Sequence, residues 1–490
     1  MKLVGRWLAA FAIVCWPAPL WAAELNSSAL GNIFLEGQAP SFTLRAQGAT
    51  AHWQARDFFG NTVAVGNLVL TGGTATFRPQ ISRLGYFKLD IFVDRETAPQ
   101  IQTALAVLPT PPPPSRNSPF GVMTHFAKGW PADIVPLIGK AGIARIRDEQ
   151  PWRQVEREPG RYQFPPRLNG FMTELAANNI DPLIVLAFSN PLYNNDKTPF
   201  DDAGRAAYGA YAAAVAQRYP GQLSGVEVWN EYNGSFCDGP CRGDRPAHYT
   251  AMLKQAYKAL KAANPALVVA GGAAVHIPLD YFDRLFRGGA LDAMDAVVIH
   301  PYRKIPEGVE EKIAALRQMM ARYGKPKPIW ATEFGDTANM RKNRDDVARY
   351  LVRMSTLLLA SGTERIYWYL LKDYQEFSGM GLLLAESDPA GRYVPAPAYP
   401  AYANLIHQLE GAKFVRREKS EPQIRVYLFS KGGREIRVAW STADREKFDI
   451  HGDAALRQFD MMGNAKILQP QRGIVSVVLD RNPVYLTSGG

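Results

Sequence analysis

Long hydrophobic runs are scarce in this sequence of 490 residues. Apart from segments typical of core strands, one such run occurs, at the N-terminus, and the mean hydropathy is -0.19. A multi-pass membrane protein is therefore excluded, because each spanning helix needs about 20 apolar residues. Hydrophobic residues make up 47% and charged residues 21% of the chain, which is the balance of an ordinary globular protein and excludes a disordered one. At roughly 150 residues per domain, the length predicts about three domains.

Dense basic runs are also missing, although Lys and Arg outnumber Asp and Glu by 56 to 46 and the net charge is +10. The basic residues are interspersed with acidic ones, as in residues 342–346 and 417–421. Nucleic-acid binding normally needs cationic side chains gathered on one face. We therefore predict no nucleic-acid partner.

The N-terminal run, residues 1–22, has the layout of a secretory signal peptide. Two basic residues precede an unbroken apolar stretch over 7–16, and Ala22 offers a cleavage site. A membrane anchor is the alternative, but the apolar stretch is short and two prolines interrupt the segment. A lipoprotein signal is disfavoured because Val14, not a small residue, precedes Cys15. Cleavage leaves a net charge of about +8 and predicts a periplasmic or secreted protein.

Two cysteines remain after cleavage, Cys237 and Cys241. In an oxidising compartment such a pair predicts a disulfide, and the intervening Asp-Gly-Pro is a turn sequence that brings the two residues together. The alternative is a metal site that adds His248 to the two cysteines, but it lacks a fourth ligand. We therefore predict a disulfide, no metal and no cofactor.

Short strand-like segments separated by glycine and asparagine turns occupy residues 24–108 and return over 411–490. Each region predicts a small β-sandwich domain. Between the first region and the centre of the chain, residues 109–119 include four consecutive prolines and predict a semi-rigid linker. Almost no linker precedes the last region, so we expect it to pack against the centre.

The central segment, residues 120–410, alternates strand-like runs with amphipathic stretches whose apolar residues recur at three- and four-residue spacing. Eight such units predict an α/β fold, the (β/α)8 TIM barrel, flanked by the N-terminal and C-terminal β-sandwich domains. A doubly wound open sheet is the alternative, but no glycine-rich phosphate fingerprint follows an early strand. The predicted barrel strands are 120–125, 144–149, 181–188, 225–231, 266–272, 295–302, 328–334 and 365–371.

Two glutamates end predicted strands that face one another across the barrel. Glu231 ends the fourth strand and Glu333 the seventh, so both reach the carboxyl-end rim, where barrel active sites lie. Glycoside hydrolysis needs two carboxyl groups, one to protonate the leaving oxygen and one to act at the anomeric carbon. Like charges so close also force the two pKa values apart. A single rim glutamate is more often solvated or paired with a cation, whereas two at apolar strand ends favour a catalytic pair.

Other rim residues support this interpretation. His300 and Tyr302 end the sixth strand, Arg147 lies on the second and Trp368 on the eighth, and aromatic faces suit sugar rings. His300 taken alone fits a satisfied structural histidine equally well. Glu227 lies on the same face of the predicted fourth strand as Glu231. We expect it to be a buried structural carboxylate.

The motifs Trp229-Asn230-Glu231 and Thr332-Glu333-Phe334-Gly335 resemble those of the retaining glycoside hydrolases of clan A. Within that clan the sequence is most similar to family 39 and to the PslG-like bacterial exopolysaccharide-associated glycosidases. Residues 120–126, 145–164 and 411–415 also fit the resemblance, which covers residues 120–490.

The resemblance implies a double-displacement mechanism in which Glu231 is the general acid/base and Glu333 the nucleophile. It also implies that Arg147 holds the nucleophile ionised. The implied substrate-binding residues are Asn230, at the sugar 2-hydroxyl, together with His300, Tyr302, Trp368 and Tyr232. Many relatives have a proline where this chain has Tyr232, and the loop with the two cysteines follows. The loop that flanks the acceptor side of the cleft is therefore specific to this chain, and the resemblance implies nothing about its acceptor specificity.

We expect from these features a retaining glycoside hydrolase that cleaves within a bacterial exopolysaccharide or related glycan during its synthesis, export or turnover. For such an enzyme the dispersed basic surplus fits an anionic polysaccharide or an envelope surface. The expected partners are the polysaccharide substrate and the polysaccharide-export machinery of the envelope, and we expect a monomer. The alternative function is that of a catalytically silent carbohydrate-binding protein that assists export. The presence of both glutamates argues against this alternative.

Overall fold

The computed structural model describes residues 22–336, 343–374 and 377–488 of the chain. The predicted signal peptide lies outside the described residues except for Ala22. Three regions follow one another along the chain: a strand-rich N-terminal region, a central closed barrel and a strand-rich C-terminal region.

The N-terminal region consists of two sheets that share one core. Apolar side chains alternate along their strands, and those of Phe42, Trp53, Phe77 and Leu89 are buried between the sheets, as in a sandwich. The three-stranded sheet has the order β1-β3-β6 and the five-stranded sheet the order β2-β8-β7-β4-β5. The strands are β1 (Glu24–Ser27), β2 (Ile33–Leu35), β3 (Phe42–Arg45), β4 (Thr50–Asp57), β5 (Thr62–Val69), β6 (Thr74–Phe77), β7 (Gly85–Val93) and β8 (Ile101–Leu108).

The central region is a closed barrel of eight parallel strands, so the predicted (β/α)8 fold is confirmed. Residues 109–119, predicted as a linker, run from β8 to the first barrel strand without a helix or strand. A two-stranded hairpin, β11 (Glu156–Glu158) and β12 (Arg161–Tyr162), follows the second barrel strand. The barrel strands are β9 (Phe120–Met123), β10 (Arg145–Pro151), β13 (Asp181–Ala187), β14 (Gly225–Val228), β15 (Val269–Val275), β16 (Ala296–His300), β17 (Ile329–Phe334) and β18 (Arg365–Trp368).

Some of the helices between the strands begin at a residue whose side chain accepts a hydrogen bond from the first turn. Asp201, Asp244 and Asn343 cap three of them in this way, which satisfies backbone donors that have no partner inside the helix. None of the described helices has the length and apolar character needed to cross a membrane. The helices are α1 (Val135–Lys140), α2 (Trp152–Val155), α3 (Pro166–Ala177), α4 (Asp202–Arg218), α5 (Arg245–Ala263), α6 (Leu279–Arg287), α7 (Val309–Arg322), α8 (Arg344–Ala360) and α9 (Ala398–Leu409).

The interior of the barrel is filled by large side chains. Trp330 and Tyr367 pack there with Leu183 and Val298, and Gly121 provides the space for the tyrosine ring, since a Cβ at this position would lie 2.4 Å from the ring. A barrel of this size is a packed core and not a channel. The site can therefore form only where the strands end.

The C-terminal region forms a six-stranded sheet in the order β19-β20-β21-β26-β23-β24 and a separate pair, β22 with β25. It packs against the barrel, as expected: Trp440 donates a hydrogen bond to Glu307, and Tyr427 donates one to Glu310. The strands are β19 (Lys413–Ser420), β20 (Ile424–Lys431), β21 (Arg434–Ser441), β22 (Glu446–His451), β23 (Leu456–Phe459), β24 (Ala465–Leu468), β25 (Ile474–Leu479) and β26 (Val484–Ser488).

Candidate active site

A cavity of about 640 Å³ lies at the carboxyl ends of the barrel strands. Both predicted catalytic glutamates are in its wall, and most of the remaining wall is aromatic or apolar. The lining residues are Met123, His125, Lys128, Glu149, Asn230, Glu231, Phe236, Val275, His276, Tyr302, Glu333, Tyr369, Tyr374, Phe377 and Met380.

The backbone turns sharply where the fourth barrel strand meets the cavity. The sequence predicts a strand over 225–231, but β14 ends at Val228, and Trp229 and Glu231 have positive φ angles of 69° and 42°. Non-glycine residues adopt this conformation rarely, and it is concentrated at functional sites. The turn brings the Glu231 carboxylate over the barrel mouth, where one of its oxygens, one oxygen of Glu333 and a ring nitrogen of His300 all lie within 4.8 Å of one another.

Arg147 connects three acidic or amide side chains beneath the cavity. Its Nε and Nη2 atoms donate to the two oxygens of Glu227 at 2.9 and 2.8 Å, Nη2 also donates to Oδ1 of Asn230 at 2.8 Å, and Nη1 donates to Glu333. Burial raises the pKa of Glu227, but the charge and hydrogen bonds of Arg147 outweigh this effect and lower the pKa to about 2. Glu227 is thus an ionised, fully buried carboxylate, as expected, and Arg147 is the counterion shared with Glu333.

His300 bridges the carboxylate of Glu231 and the hydroxyl of Thr332. Its Nδ1 lies 3.1 Å from Glu231 and its Nε2 lies 3.0 Å from Thr332 Oγ1. Burial lowers the pKa of this imidazole, but the charge of Glu333 and the nearby carboxylates of Glu227 and Glu231 raise it to about 9. Conversely, burial raises the pKa of Glu231, while the hydrogen bond and charge of His300 lower it below its usual value. The two side chains form one proton-sharing pair.

Tyr302 holds the second oxygen of Glu333. Its hydroxyl donates to Oε2 at 2.7 Å, whereas Arg147 donates to Oε1. Burial, followed by the charge of Glu333, raises the pKa of Tyr302 well above its usual range, so the hydroxyl keeps its proton and remains a donor. Each oxygen of Glu333 is therefore bound by a separate donor, which fixes the orientation of the carboxylate.

Four residues predicted to bind substrate lie outside the cavity wall. Arg147 and His300 contact the two glutamates without lining the cavity, whereas Trp368 and Tyr232 are buried elsewhere. Trp368 is fully buried, packs against Phe334 and Tyr350, and faces the helix layer. Because successive side chains of a strand point to opposite faces, its neighbours Tyr367 and Tyr369 point to the interior and to the cavity instead. The prediction that Trp368 lines the substrate site is therefore wrong, and Tyr369 lies in the cavity wall instead.

Tyr232 is the second correction. It is fully buried and packs edge-on against Trp229 and Tyr249 behind the turn. Glu231 has a positive φ, and the amide of Tyr232 donates to the carbonyl oxygen of Ala273 at 2.8 Å. The Tyr232 side chain lies outside the cavity wall. Its contribution is to support the turn from behind.

Several residues of the cavity wall were not predicted from the sequence. His125 follows the first barrel strand, lies 3.4 Å from the hydroxyl of Tyr369, and has its pKa lowered to about 3 by burial and by nearby cations, chiefly Lys128. Lys128 forms a 3.1 Å ion pair with Glu149 in the same wall. The available signal was position, because both His125 and Glu149 come at the carboxyl ends of predicted strands, where functional side chains are expected.

The predicted disulfide is present in the loop that follows the turn at Glu231. Cys237 and Cys241 are bonded, with their Cα atoms 6.1 Å apart, and both residues are buried. Between them Asp238 forms ion pairs with Lys197 at 2.7 Å and with Arg242 at 2.8 Å. The loop is thus closed on itself and tied to the preceding βα connection.

The closed barrel carries two carboxylates that converge at the carboxyl-end rim, which is the arrangement that glycoside hydrolysis needs. Residues 248–391 match the family model described as glycosyl hydrolase catalytic core. No curated protein matches the chain in sequence. The match and the fold agree with the resemblance that the strand-end motifs carry.

Solved structures share the fold. A family 39 glycoside hydrolase from the gut symbiont Bacteroides cellulosilyticus WH2 superposes with a TM-score of 0.79 at 21% identity, over 94% of this chain and 99% of that one. The catalytic domain of a family 30 xylanase C from Talaromyces cellulolyticus has a TM-score of 0.56 at 13% identity, over 76% and 97%. A monomeric β-xylosidase from Caulobacter crescentus CB15 has a TM-score of 0.54 at 16% identity, over 76% and 96%. At these identities the likeness establishes the fold.

Proposed function

We propose that this protein is a retaining glycoside hydrolase in which Glu333 is the nucleophile and Glu231 the general acid/base. One observation carries the proposal: an oxygen of each carboxylate lies within 4.8 Å of the other. Retaining enzymes hold their carboxyl groups about 5–5.5 Å apart, whereas inverting enzymes separate them by roughly 6.5–9.5 Å to admit a water molecule. The short spacing supports double displacement.

In the first step, Glu333 attacks the anomeric carbon while the glycosidic oxygen takes a proton from Glu231 and leaves with its electron pair. Arg147 and Tyr302 stabilise the attacking carboxylate as an anion and aim it. Asn230 accepts from Arg147 through Oδ1, which leaves its amide nitrogen to donate to the sugar 2-hydroxyl. Such a bond strengthens in the transition state.

In the second step, Glu231 takes a proton from a water molecule whose oxygen attacks the anomeric carbon. The bond to Glu333 breaks, and Glu333 leaves as a carboxylate. His300 supports both roles of Glu231, because a bonded imidazole can share the proton when the carboxyl group gives it up and when it regains it.

We propose a polysaccharide substrate, a bacterial exopolysaccharide or related glycan that is cut within the chain. Aromatic side chains along the cavity support this, since flat apolar rings stack on sugar rings. The basic surplus of the chain suits an anionic polymer. Because two of the structural neighbours are a xylanase and a β-xylosidase, xylosyl linkages belong among the first to be tested.

We propose further that the protein acts in the periplasm or outside the cell, as a monomer that works with the polysaccharide-export machinery. The Cys237–Cys241 disulfide supports this location, because such bonds form and persist in oxidising compartments.

Trapping the covalent intermediate tests the mechanism. The protein is incubated with 2,4-dinitrophenyl 2-deoxy-2-fluoro-β-glycosides of glucose, xylose, mannose and galactose, digested, and analysed by mass spectrometry. We expect one of them to label the peptide that contains Glu333, and Glu333→Gln to stay unlabelled. A label on another carboxylate would refute the assignment of the nucleophile.

Product analysis tests the substrate. We expect oligosaccharides to be released from one member of a panel of neutral and acidic bacterial exopolysaccharides. Binding of a polysaccharide with neither release nor labelling would instead favour the catalytically silent carbohydrate-binding protein.

A further inference from the structure

The loop after Glu231 presents an exposed aromatic ring to the cavity. Phe236 lies five residues beyond the glutamate, lines the cavity wall and is 40% exposed. An apolar ring in water costs free energy unless a ligand covers it. Its position in the cavity wall, next to the catalytic pair, makes this ring a candidate for contact with substrate.

Phe236 is held in place from behind. Its ring stacks on that of Phe188, with centroids 5.2 Å apart and planes inclined by 13°, and Phe188 in turn packs edge-on against Trp229. The indole Nε1 of Trp229 donates to the carbonyl oxygen of Phe236 at 3.2 Å. Trp229 directly precedes the Asn230-Glu231 pair, so the ring is linked to the same turn that positions the acid/base.

The chain is also fixed on the C-terminal side of Phe236. Cys237, the next residue, forms the disulfide with Cys241. The amide of Thr198 donates to the carbonyl oxygen of Asp238 at 3.2 Å, and the amide of Asp238 donates to Thr198 Oγ1 at 2.9 Å. Phe236 therefore cannot easily fold into the core and relieve its exposure, and it stays as a preorganised flat surface.

We propose that Phe236 is the stacking platform of a subsite for the leaving-group sugar, which binds a pyranosyl residue through the apolar face of its ring. The proposal rests on the proposed function: the group that protonates the glycosidic oxygen must face the leaving group, and Phe236 lies on the loop of that group. The natural leaving group is then a saccharide, and a saccharide acceptor can replace water in the second step.

Reactivation of the trapped enzyme isolates this subsite. Once the 2-fluoroglycosyl intermediate has formed and excess reagent is removed, activity returns slowly in buffer and faster when an acceptor takes the glycosyl group. We compare buffer with cellobiose and xylobiose as acceptors. In the wild type we expect at least one disaccharide to accelerate reactivation about tenfold, and in Phe236→Ala we expect most of that acceleration to disappear.

Three measurements make the result specific. The acceleration is calculated against each variant's own rate of reactivation in buffer, where water is the acceptor and needs no stacking platform. Phe236→Tyr should keep the acceleration. Phe59→Ala, which removes a similarly exposed ring (41%) from the N-terminal region, should leave every rate unchanged.

The outcomes separate the two proposals. Labelling followed by equal acceleration in the wild type and Phe236→Ala, or by no acceleration with either disaccharide, would overturn the subsite while leaving the retaining mechanism intact. Failure of every reagent to label the wild type would overturn the proposed function, and the subsite with it.

Discussion

The imidazole of His300 lies 3.1 Å from the carboxylate of Glu231, within hydrogen-bond distance through Nδ1. The pKa of His300 is raised to about 9, against the effect of burial, by Glu333 and by the nearby carboxylates of Glu227 and Glu231. In the free protein at neutral pH the pair therefore carries one proton. Binding of a substrate that requires an acid can draw this proton to the glutamate.

The first prediction concerns the pH dependence of kcat/KM, which reports ionisations of the free enzyme. Below the raised pKa the pair holds the proton that Glu231 donates in the proposed mechanism, and above it the proton is lost. We expect activity to fall as pH rises through about 9. His300→Asn should move this alkaline limb down by about two pH units or more, because Glu231 then keeps its proton alone.

His451→Asn is the control for this profile, since His451 is exposed in the C-terminal region and should leave the limb in place. An alkaline limb at the same pH in His300→Asn would show that another group sets it.

The second prediction concerns the stability of the barrel. Arg147→Met leaves the fully buried Glu227 without its counterion, and we expect the free energy of unfolding to fall by roughly 3–5 kcal/mol. Adding Glu227→Gln should recover a large part of the loss. Urea unfolding measures the changes, and Arg161→Met, which breaks an exposed pair with Glu158, should cost about 1 kcal/mol or less. Equal losses in the two arginine variants would contradict this account.

The third prediction separates catalysis from stability at a single hydroxyl. Tyr302→Phe removes one of the two donors to Glu333, and we expect kcat/KM to fall roughly 10- to 100-fold, since a hydrogen bond to a charged group is worth about 1.5–3 kcal/mol. Tyr350→Phe also removes a hydroxyl, one that donates to the Arg303 carbonyl, and should affect thermal stability alone. A similar kinetic loss in both variants would remove Tyr302 from the reaction.

The fourth prediction compares adjacent residues of the last barrel strand. Tyr369→Ala should raise KM about tenfold by removing a wall of the cavity. Trp368→Phe should leave KM unchanged, because that side chain faces the helix layer. Steady-state kinetics on the same saccharide decide, and a larger effect on KM from the tryptophan variant would reverse the placement of the two rings.

The fifth prediction concerns the leaving group. Glu231→Gln should lower kcat roughly 10²–10⁴-fold on a saccharide, because the departing oxygen then lacks a general acid. On a 2,4-dinitrophenyl glycoside, whose leaving group needs no proton, the first step should be nearly as fast as in the wild type. Pre-steady-state release of dinitrophenol measures this step, and an equal loss on both substrates would exclude Glu231 as the acid.

Local sequence patterns determined most of the architecture. The eight barrel strands begin within three residues of their predicted starts, because runs of buried apolar residues and amphipathic stretches reflect burial that each segment needs on its own. The same patterns placed Glu231 and Glu333 at strand ends, and parallel strands of a closed barrel bring such ends to one rim. The disulfide was also predictable from local sequence, since only a short turn separates its two cysteines.

Tertiary structure alone decided which way the side chains at those ends point. Trp368 lies at a strand end as expected, but the register of the barrel and the packing of α8 turn its indole outward. Tyr232 follows the positive-φ residue Glu231 and lies outside the cavity wall. Conversely, Phe236 and Tyr369 are far apart in the chain and meet in one cavity only when the barrel closes. Strand parity and loop direction depend on long-range contacts, and no local pattern in the sequence records them.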